Sequence, residues 1–293
     1  MIIAQQIKNH FLSSKSRKQE FFIFLCGGGD AEQLQQRREI GKEIASIRSK
    51  YRYSAYYPED MFVELIMGHN RKDLLSLENM LAESAHAVGI IVESPGTCAE
   101  LGAFANHERL RNKLILVIEP KYEKKKSFIN LGPIRYLRTR SESKIHYLPI
   151  NHENSKLIAS VIADSCREIS KHSMPIKNLT NPIYSYDFYL ALIFVLDPIP
   201  RQTVLSIALR LSECSKSKVT DAGETVVNTL INGGKVSCVG NKLSCTRLGR
   251  NDLLYSSRTK RSSQSLRRLL TDIRYEVFNK FYRGKIAIKG GAF

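Results

Sequence analysis

Three short apolar runs, Phe21–Leu25 (FFIFL), Ala87–Val92 (AVGIIV) and Leu114–Ile118 (LILVI), constrain the fold of this chain more than any other feature. None alternates with polar residues as a strand with one wet face would. They are separated by stretches with helical spacing, such as Leu74, Leu77, Met80 and Leu81. Near-continuous apolar strands alternating with helices predict an α/β domain, a parallel sheet with helices on both faces. Tyr53–Tyr57 adds an aromatic, β-prone segment and Lys144–Leu148 a weaker one. A polar helix is predicted to about Lys50, another from Cys98 to about Leu110, and a closing helix over 150–172. Three loops, Cys26-Gly27-Gly28-Gly29-Asp30, Tyr57-Pro58-Glu59-Asp60 and Glu93-Ser94-Pro95-Gly96-Thr97, follow strands, and in such sheets ligands bind beyond the carboxyl ends of the strands.

The pattern changes beyond Ser173–Pro182, which reads as a linker. Tyr186–Leu196 is an apolar helix, and Pro200-Arg201 opens a second with Leu205, Ala208, Leu209 and Leu211 on its face. Thr220 can cap a third, which buries Val226, Val227, Leu230 and Ile231 and stops at Gly233-Gly234. Lys235–Cys238 and Lys242–Cys245 then flank Val239-Gly240-Asn241 as a hairpin. Helices followed by a basic hairpin give the order of a winged helix-turn-helix. A last amphipathic helix carries Leu266, Leu269, Leu270, Ile273, Val277, Phe278 and Phe281 on one stripe, with Arg267, Arg268 and Arg274 largely off it. The predicted organisation is an α/β domain at 1–172, a linker at 173–184, a winged helix at 185–255 and a basic C-terminal helix and tail at 256–293.

Charge separates these parts. Of 45 Lys+Arg and 28 Asp+Glu, residues 179–293 hold 18 and 8, a net of +10 over the shorter part of the chain. That excess implies a polyanionic partner, nucleic acid before an acidic membrane surface. Lys216, Lys218 and Thr220 at the start of the third helix, and Lys235, Lys242 and Arg247 around the hairpin, are the candidates for phosphate contacts, against the alternatives of a solvated surface or a protein-docking module. The longest apolar run, Phe188 to Leu196, is far short of a membrane span, and the first ten residues carry no signal-peptide core, so a cytoplasmic protein is expected. The six cysteines form no CxxC pair and have no His at zinc-finger spacing, which favours free thiols and predicts no metal site.

The loops carry the chemistry. The glycine run matches neither GxGxxG nor GxxxxGK[ST], so it is either a close approach to a ligand or simply a turn. Asp30 either accepts from a sugar hydroxyl or caps the next helix. Ser94 and Gly96 begin a tight turn that feeds a helix N-terminus, a place that favours phosphate or sugar oxygens. Glu100, expected at the third or fourth helical position, either pairs with Thr97 as a capping box or points back toward the strand ends as a reactive carboxylate. Glu59, Asp60 and Glu78 lie within reach, and carboxylates without a His or Cys partner set suit chemistry at an anomeric carbon better than metal hydrolysis or a triad. His69, His86 and His107 are isolated and read as core or surface residues.

Taken together, FLCGGGD, YPED, SLENMLAE, ESPGTCAELGAF and KKKSFINLGPIRYL resemble the N-terminal domain of retron-associated effectors, which is itself similar to nucleoside 2-deoxyribosyltransferases. The resemblance covers about residues 20 to 145 and implies a Rossmann-like, flavodoxin-like fold. It implies that Glu100, in Glu-Leu-Gly, attacks C1′ or stabilises the cation there, and that Glu78 stands near the base. It also implies that Asp30 and Asp60 hold ribose hydroxyls, and that Gly28, Gly29, Ser94 and Gly96 line the ribose or phosphate pocket. The transferases place a Tyr in the first strand, where this chain offers Phe22 and Phe24. Hydrolysis is therefore expected over base exchange, with NAD as first substrate rather than cofactor and nucleosides or nucleotides second. The implied setting is an antiviral retron toxin in the bacterial cytoplasm, oligomeric and restrained by a reverse transcriptase with its branched RNA–DNA. Two alternatives stay open: a nucleotide-sensing winged-helix regulator without turnover, and a phosphoribohydrolase, although the Pro-Gly-Gly-x-Gly-Thr run of that family is incomplete here.

Overall fold

The computed structural model describes residues 1–13, 19–61, 74–170, 175–255 and 260–282. The chain forms two compact units, Ser16–Pro175 and the combination of Met1–Lys15 with Ile176–Phe293. The first fifteen residues therefore belong with the C-terminal part, not with the α/β part as the expected 1–172 boundary had it. The physical reason is apolar packing: Ala4, Ile7 and Leu12 of the helix Ile2–Ser13 are buried in the core built around the helix Pro182–Val195.

In the unit Ser16–Pro175, β1 (Gln19–Cys26), β2 (Tyr51–Tyr56), β3 (Ala87–Val92), β4 (Leu114–Ile118) and β5 (Lys144–Tyr147) form one parallel sheet in the order β2-β1-β3-β4-β5. The runs read as doubly buried strands are so, with all residues of β3 and β4 buried. Alternation sends Phe21, Ile23 and Leu25 to one face, where Ile40 and Ile44 of the helix Ala31–Ser46 and Ile158 and Ile162 of the helix Ser155–Ile169 cover them. Phe22 and Phe24 point the other way and are also buried, 2% and 0% exposed, so they serve the core rather than a substrate. The helix Pro95–Asn106 packs against β3. Between β1 and β3 the strand order reverses, and in open α/β sheets the carboxyl ends of the strands at such a point are where ligands bind.

In the other unit, Phe188 to Val195 are all buried, so the helix Pro182–Val195 is the axis of the core. Asn181 starts it by accepting from the backbone N–H groups of Ile183 and Tyr184 at 3.0 and 3.3 Å. The helices Arg201–Leu211 and Lys216–Asn232 follow β6 (Ile199–Pro200), and β7 (Val236–Val239) and β8 (Lys242–Cys245) complete an antiparallel sheet of order β6-β8-β7. Gly240, at φ 61°, turns the hairpin. The third helix begins at Lys216 after Ser215, not at Thr220, whose hydroxyl instead donates to the Lys216 carbonyl at 2.9 Å within the first turns. The final helix, Lys260–Tyr282, docks on its own unit: Leu270 and Ile273 are buried, and Leu266, Leu269 and Val277 pack beside them. Arg267 donates to the Leu254 carbonyl at 2.9 Å and Arg274 stacks 4.7 Å from the Phe194 ring, so both lean inward rather than face solvent. Phe281 and the tail from 283 lie outside the residues whose side chains are described.

Candidate active site

Glu100 owes its position to the cap of its helix. Ser94 is the N-cap, its Oγ accepting from the Thr97 N–H at 3.2 Å, while Thr97 Oγ1 accepts from the Ser94 N–H at 3.0 Å. The capping box is thus Ser94 with Thr97, and the expected pairing of Thr97 with Glu100 is replaced. A helix that starts at Pro95 puts Glu100 sixth, beyond the cap and on the side facing the strand ends.

There Glu100 meets two groups. The Cys26 thiol, at the end of β1 and fully buried, hydrogen-bonds to it, and Glu78 acts on it electrostatically. Burial, then repulsion from Glu78, pushes the Glu100 carboxyl up to about 7, while the Cys26 hydrogen bond and Arg37 pull in the opposite direction. Its Oε2 is buried without a hydrogen-bond partner. Glu78 is 8% exposed and burial raises its carboxyl above the usual range. The Cys26 thiol is raised well above its ordinary value by burial and then by the two carboxylates, so it stays protonated and donates. Two desolvated acids and a thiol donor converge at one point, an arrangement that stability alone does not favour.

Arg37 braces this cluster from the helix Ala31–Ser46. It is 3% exposed, donates to the Gly27 carbonyl at 3.1 Å and pairs with Glu59 at 3.0 Å. Glu93, the residue after β3, accepts from the Gly28 N–H at 2.8 Å; burial raises its carboxyl, and the Gly28 hydrogen bond offsets this. The Gly28 amide is therefore already used within the protein rather than offered to a ligand. Gly29 and Asp30 are exposed at the rim, and Asp30 is also the N-cap residue of the helix Ala31–Ser46. Asp60 is drawn aside by Arg38, whose Nη1 donates to it at 2.7 Å and whose guanidinium also covers the Tyr57 ring at 3.9 Å. Gly96 is exposed on the first turn of its helix, and the Ser94 hydroxyl is engaged in the cap. The structure thus unites Glu100 with Glu78, and the sequence reading missed Cys26, Arg37 and Glu93. Their signal was positional: the last residue of one strand, the first after another, and an arginine on the face that buries Ile40 and Ile44.

Among the described residues no His, Cys, Asp and Glu group is arranged to hold a metal ion. His86 is fully buried, accepts from the Phe22 N–H at 2.9 Å and stacks on Phe21, and His107 faces Glu83 at 3.3 Å; His69 lies outside the described residues. No described helix is long and apolar enough to cross a membrane.

In the C-terminal unit, Lys216, Lys218, Lys242 and Arg247 are exposed. Thr220 is half-buried, with its hydroxyl bonded back into its own helix. Lys235 differs from expectation, because it is ion-paired with Asp252 and lies 5.1 Å from the Tyr186 ring. It serves the unit's packing before any outside partner.

Residues 34–236 match the family model of the STM3845 retron effector protein. This chain belongs to that retron effector family. The effector is 32% identical over 238 residues to an Escherichia coli protein of retron Ec86, covering 78% of this chain and 76% of that one. It is 34% identical over 131 residues to an Escherichia coli protein of retron Ec73, covering 43% and 41%. The names of both relatives propose ribosyltransferase and DNA-binding roles for them.

Proposed function

We propose that this retron effector is an N-glycosidase that cleaves the bond between base and ribose of NAD or a related nucleotide, with Glu100 as the carboxylate at C1′. The observation that carries the reading is the Glu100 carboxyl itself: half-buried, one oxygen unpartnered, raised to about 7 beside Glu78 and Cys26, at the reversal point of the sheet. In the proposed step the C1′–N bond breaks and its electron pair leaves with the base. Ionised Glu100 bonds to C1′ or stabilises the oxocarbenium ion, and water then adds to C1′ and gives up a proton. For NAD the products are nicotinamide, ADP-ribose and a proton. Glu78, whose burial favours its protonated form, stands toward the base, and Asp30, which closes a capping box with Gln33 at the rim, meets a ribose hydroxyl through the lone pairs that the cap leaves. Asp60 reaches that role only by releasing Arg38.

The C-terminal unit is read as a winged helix that binds nucleic acid through Lys216, Lys218, Lys242 and Arg247. Its order of helices and hairpin and the exposure of those four side chains support this. The retron setting supports a reverse transcriptase and its RNA–DNA as the partner that restrains the enzyme.

The test is a mass-spectrometric time course with NAD, nucleotides and deoxynucleosides, using wild type and Glu100→Gln, each alone and with the reverse transcriptase complex. Nicotinamide or free base released by the wild type only is the expected result. No product from any folded form, together with a saturating thermal shift by a nucleotide, would replace catalysis by ligand sensing.

A further inference from the structure

The segment Lys121–Arg140, which leaves the sheet after β4, holds seven basic residues and one acidic residue. The whole unit from Ser16 to Pro175 holds 24 and 20, so outside this strap the unit is slightly acidic, 17 against 19. The excess positive charge of the α/β unit is thus concentrated in one stretch, whose lysines follow the carboxyl end of β4 and whose arginines lead back toward the amino end of β5. Lys121, Lys124, Lys125 and Lys126 are exposed, and no described carboxylate pairs with them.

Aromatic groups are set among these lysines. Tyr122 lies 5.1 Å from Lys121 and 4.8 Å from Lys125. Phe128 is 84% exposed, yet its ring rests against Gly132: a Cβ there would lie 3.5–3.6 Å from three ring atoms. The ring is supported on one side and open on the other. The loop beneath is fastened, because Asn130 Nδ2 donates to the carbonyls of Tyr122 and Lys125 at 2.6 and 2.7 Å. Buried Ile134 and Leu137 anchor the segment that follows.

We infer that this strap binds single-stranded nucleic acid, the lysines holding the phosphates and Phe128 stacking an unpaired base. A fixed cationic row beside an aromatic face with one open side meets the two needs of such a ligand, whereas a duplex has no free base to stack. The site is separate from the basic residues of the C-terminal unit and does not depend on the glycosidase reading.

Photo-cross-linking of the full chain to a single-stranded oligonucleotide bearing 5-bromouracil, with digestion and mass spectrometry, localises contact. Anisotropy titrations at several salt concentrations measure affinity. Adducts on the peptide Ser127–Arg135 are expected for wild type and Phe128→Tyr and lost in Phe128→Ala, with affinity weakened about 5- to 100-fold. Replacing Lys124, Lys125 and Lys126 together by Gln is expected to make the slope of log affinity against log salt shallower by about 2. Adducts confined to residues 176–293 with an unchanged slope would overturn the inference. So would Phe128-dependent binding to phosphatidylserine vesicles with no effect of Phe128→Ala on the oligonucleotide.

Discussion

Glu100→Gln should stabilise this protein at alkaline pH and hardly at all in acid. The Glu100 carboxyl is raised from an ordinary 4.5 to about 7, mainly because the fold takes it out of water. At about 1.4 kcal/mol for each tenfold change in ionisation, holding it charged in the folded state costs about 3 kcal/mol relative to the unfolded chain. The sign follows from the raised value. Below the unfolded value near 4.5 both states are protonated and the wild type keeps its full stability. The loss develops as the pH climbs, and it is complete above about 7. Glutamine never ionises and still accepts from the Cys26 thiol. The variant should therefore exceed the wild type by under about 1 kcal/mol at pH 5 and by up to about 3 kcal/mol at pH 8. Incomplete burial of Glu100 makes the larger figure an upper bound.

Calorimetry at the two pH values reads this directly. In a unit of this size about 3 kcal/mol corresponds to roughly 6–12 °C in Tm, and hydrogen exchange of the β1 and β3 amides assigns the transition to the α/β unit. Equal melting temperatures at pH 8, or one constant difference at both pH values, would refute the argument that desolvation sets the state of Glu100. A residue that destabilises its fold in its ionised form and whose removal also abolishes turnover is held there for chemistry.

Much of this site was legible because the strands announce themselves. Ala87–Val92 and Leu114–Ile118 coincide with the observed strands, since continuous apolar runs between turns leave little choice of element. Their carboxyl ends then located Glu100. What the sequence hid depended on partners distant along the chain. Cys26 looked like one free thiol among six until β1 and the helix Pro95–Asn106 brought it to Glu100. Arg37 looked like part of a solvated helix because no local pattern reveals that the Gly27 carbonyl and Glu59 wait above it. Residues 2–13 were grouped with the α/β part by proximity along the chain, whereas the helix they form packs on one that begins at Pro182. Lys235 looked like a phosphate contact because Asp252 stands seventeen residues away, on another element. Local rules place elements; contacts between distant segments decide which charges remain available.

The same reasoning gives three further outcomes. Arg37→Met leaves the Gly27 carbonyl without its donor and should cost the α/β unit about 1–3 kcal/mol by urea denaturation. It also removes a positive charge that holds the Glu100 carboxyl down, so the acid limb of the pH–rate profile should move to higher pH; an unmoved limb would separate Arg37 from the site. Gly27→Ala sets a Cβ 3.0 Å from Arg37 Cδ and 3.2 Å from Glu93 Oε1 and should cost about 1 kcal/mol or more, whereas Gly29→Ala meets open space and should stay within about 0.5 kcal/mol. Lys235 and Lys242 make the last comparison, because both are lysines of the basic hairpin region and only their surroundings differ. Burial alone would lower the Lys235 ammonium, but the hydrogen bonds to Asp252 and Tyr186 outweigh it and raise it, so this charge is committed inside the unit. Lys235→Met strands Asp252 and should lower stability by about 1–2 kcal/mol without changing the salt dependence of the proposed nucleic-acid binding. Exposed Lys242→Gln should do the reverse, leaving stability within about 0.5 kcal/mol and reducing the salt slope on duplex DNA by about 0.9. If both variants reduce the slope equally, Lys235 gives up Asp252 when nucleic acid binds, and the ion pair is a contact that binding exchanges rather than a fixed part of the fold.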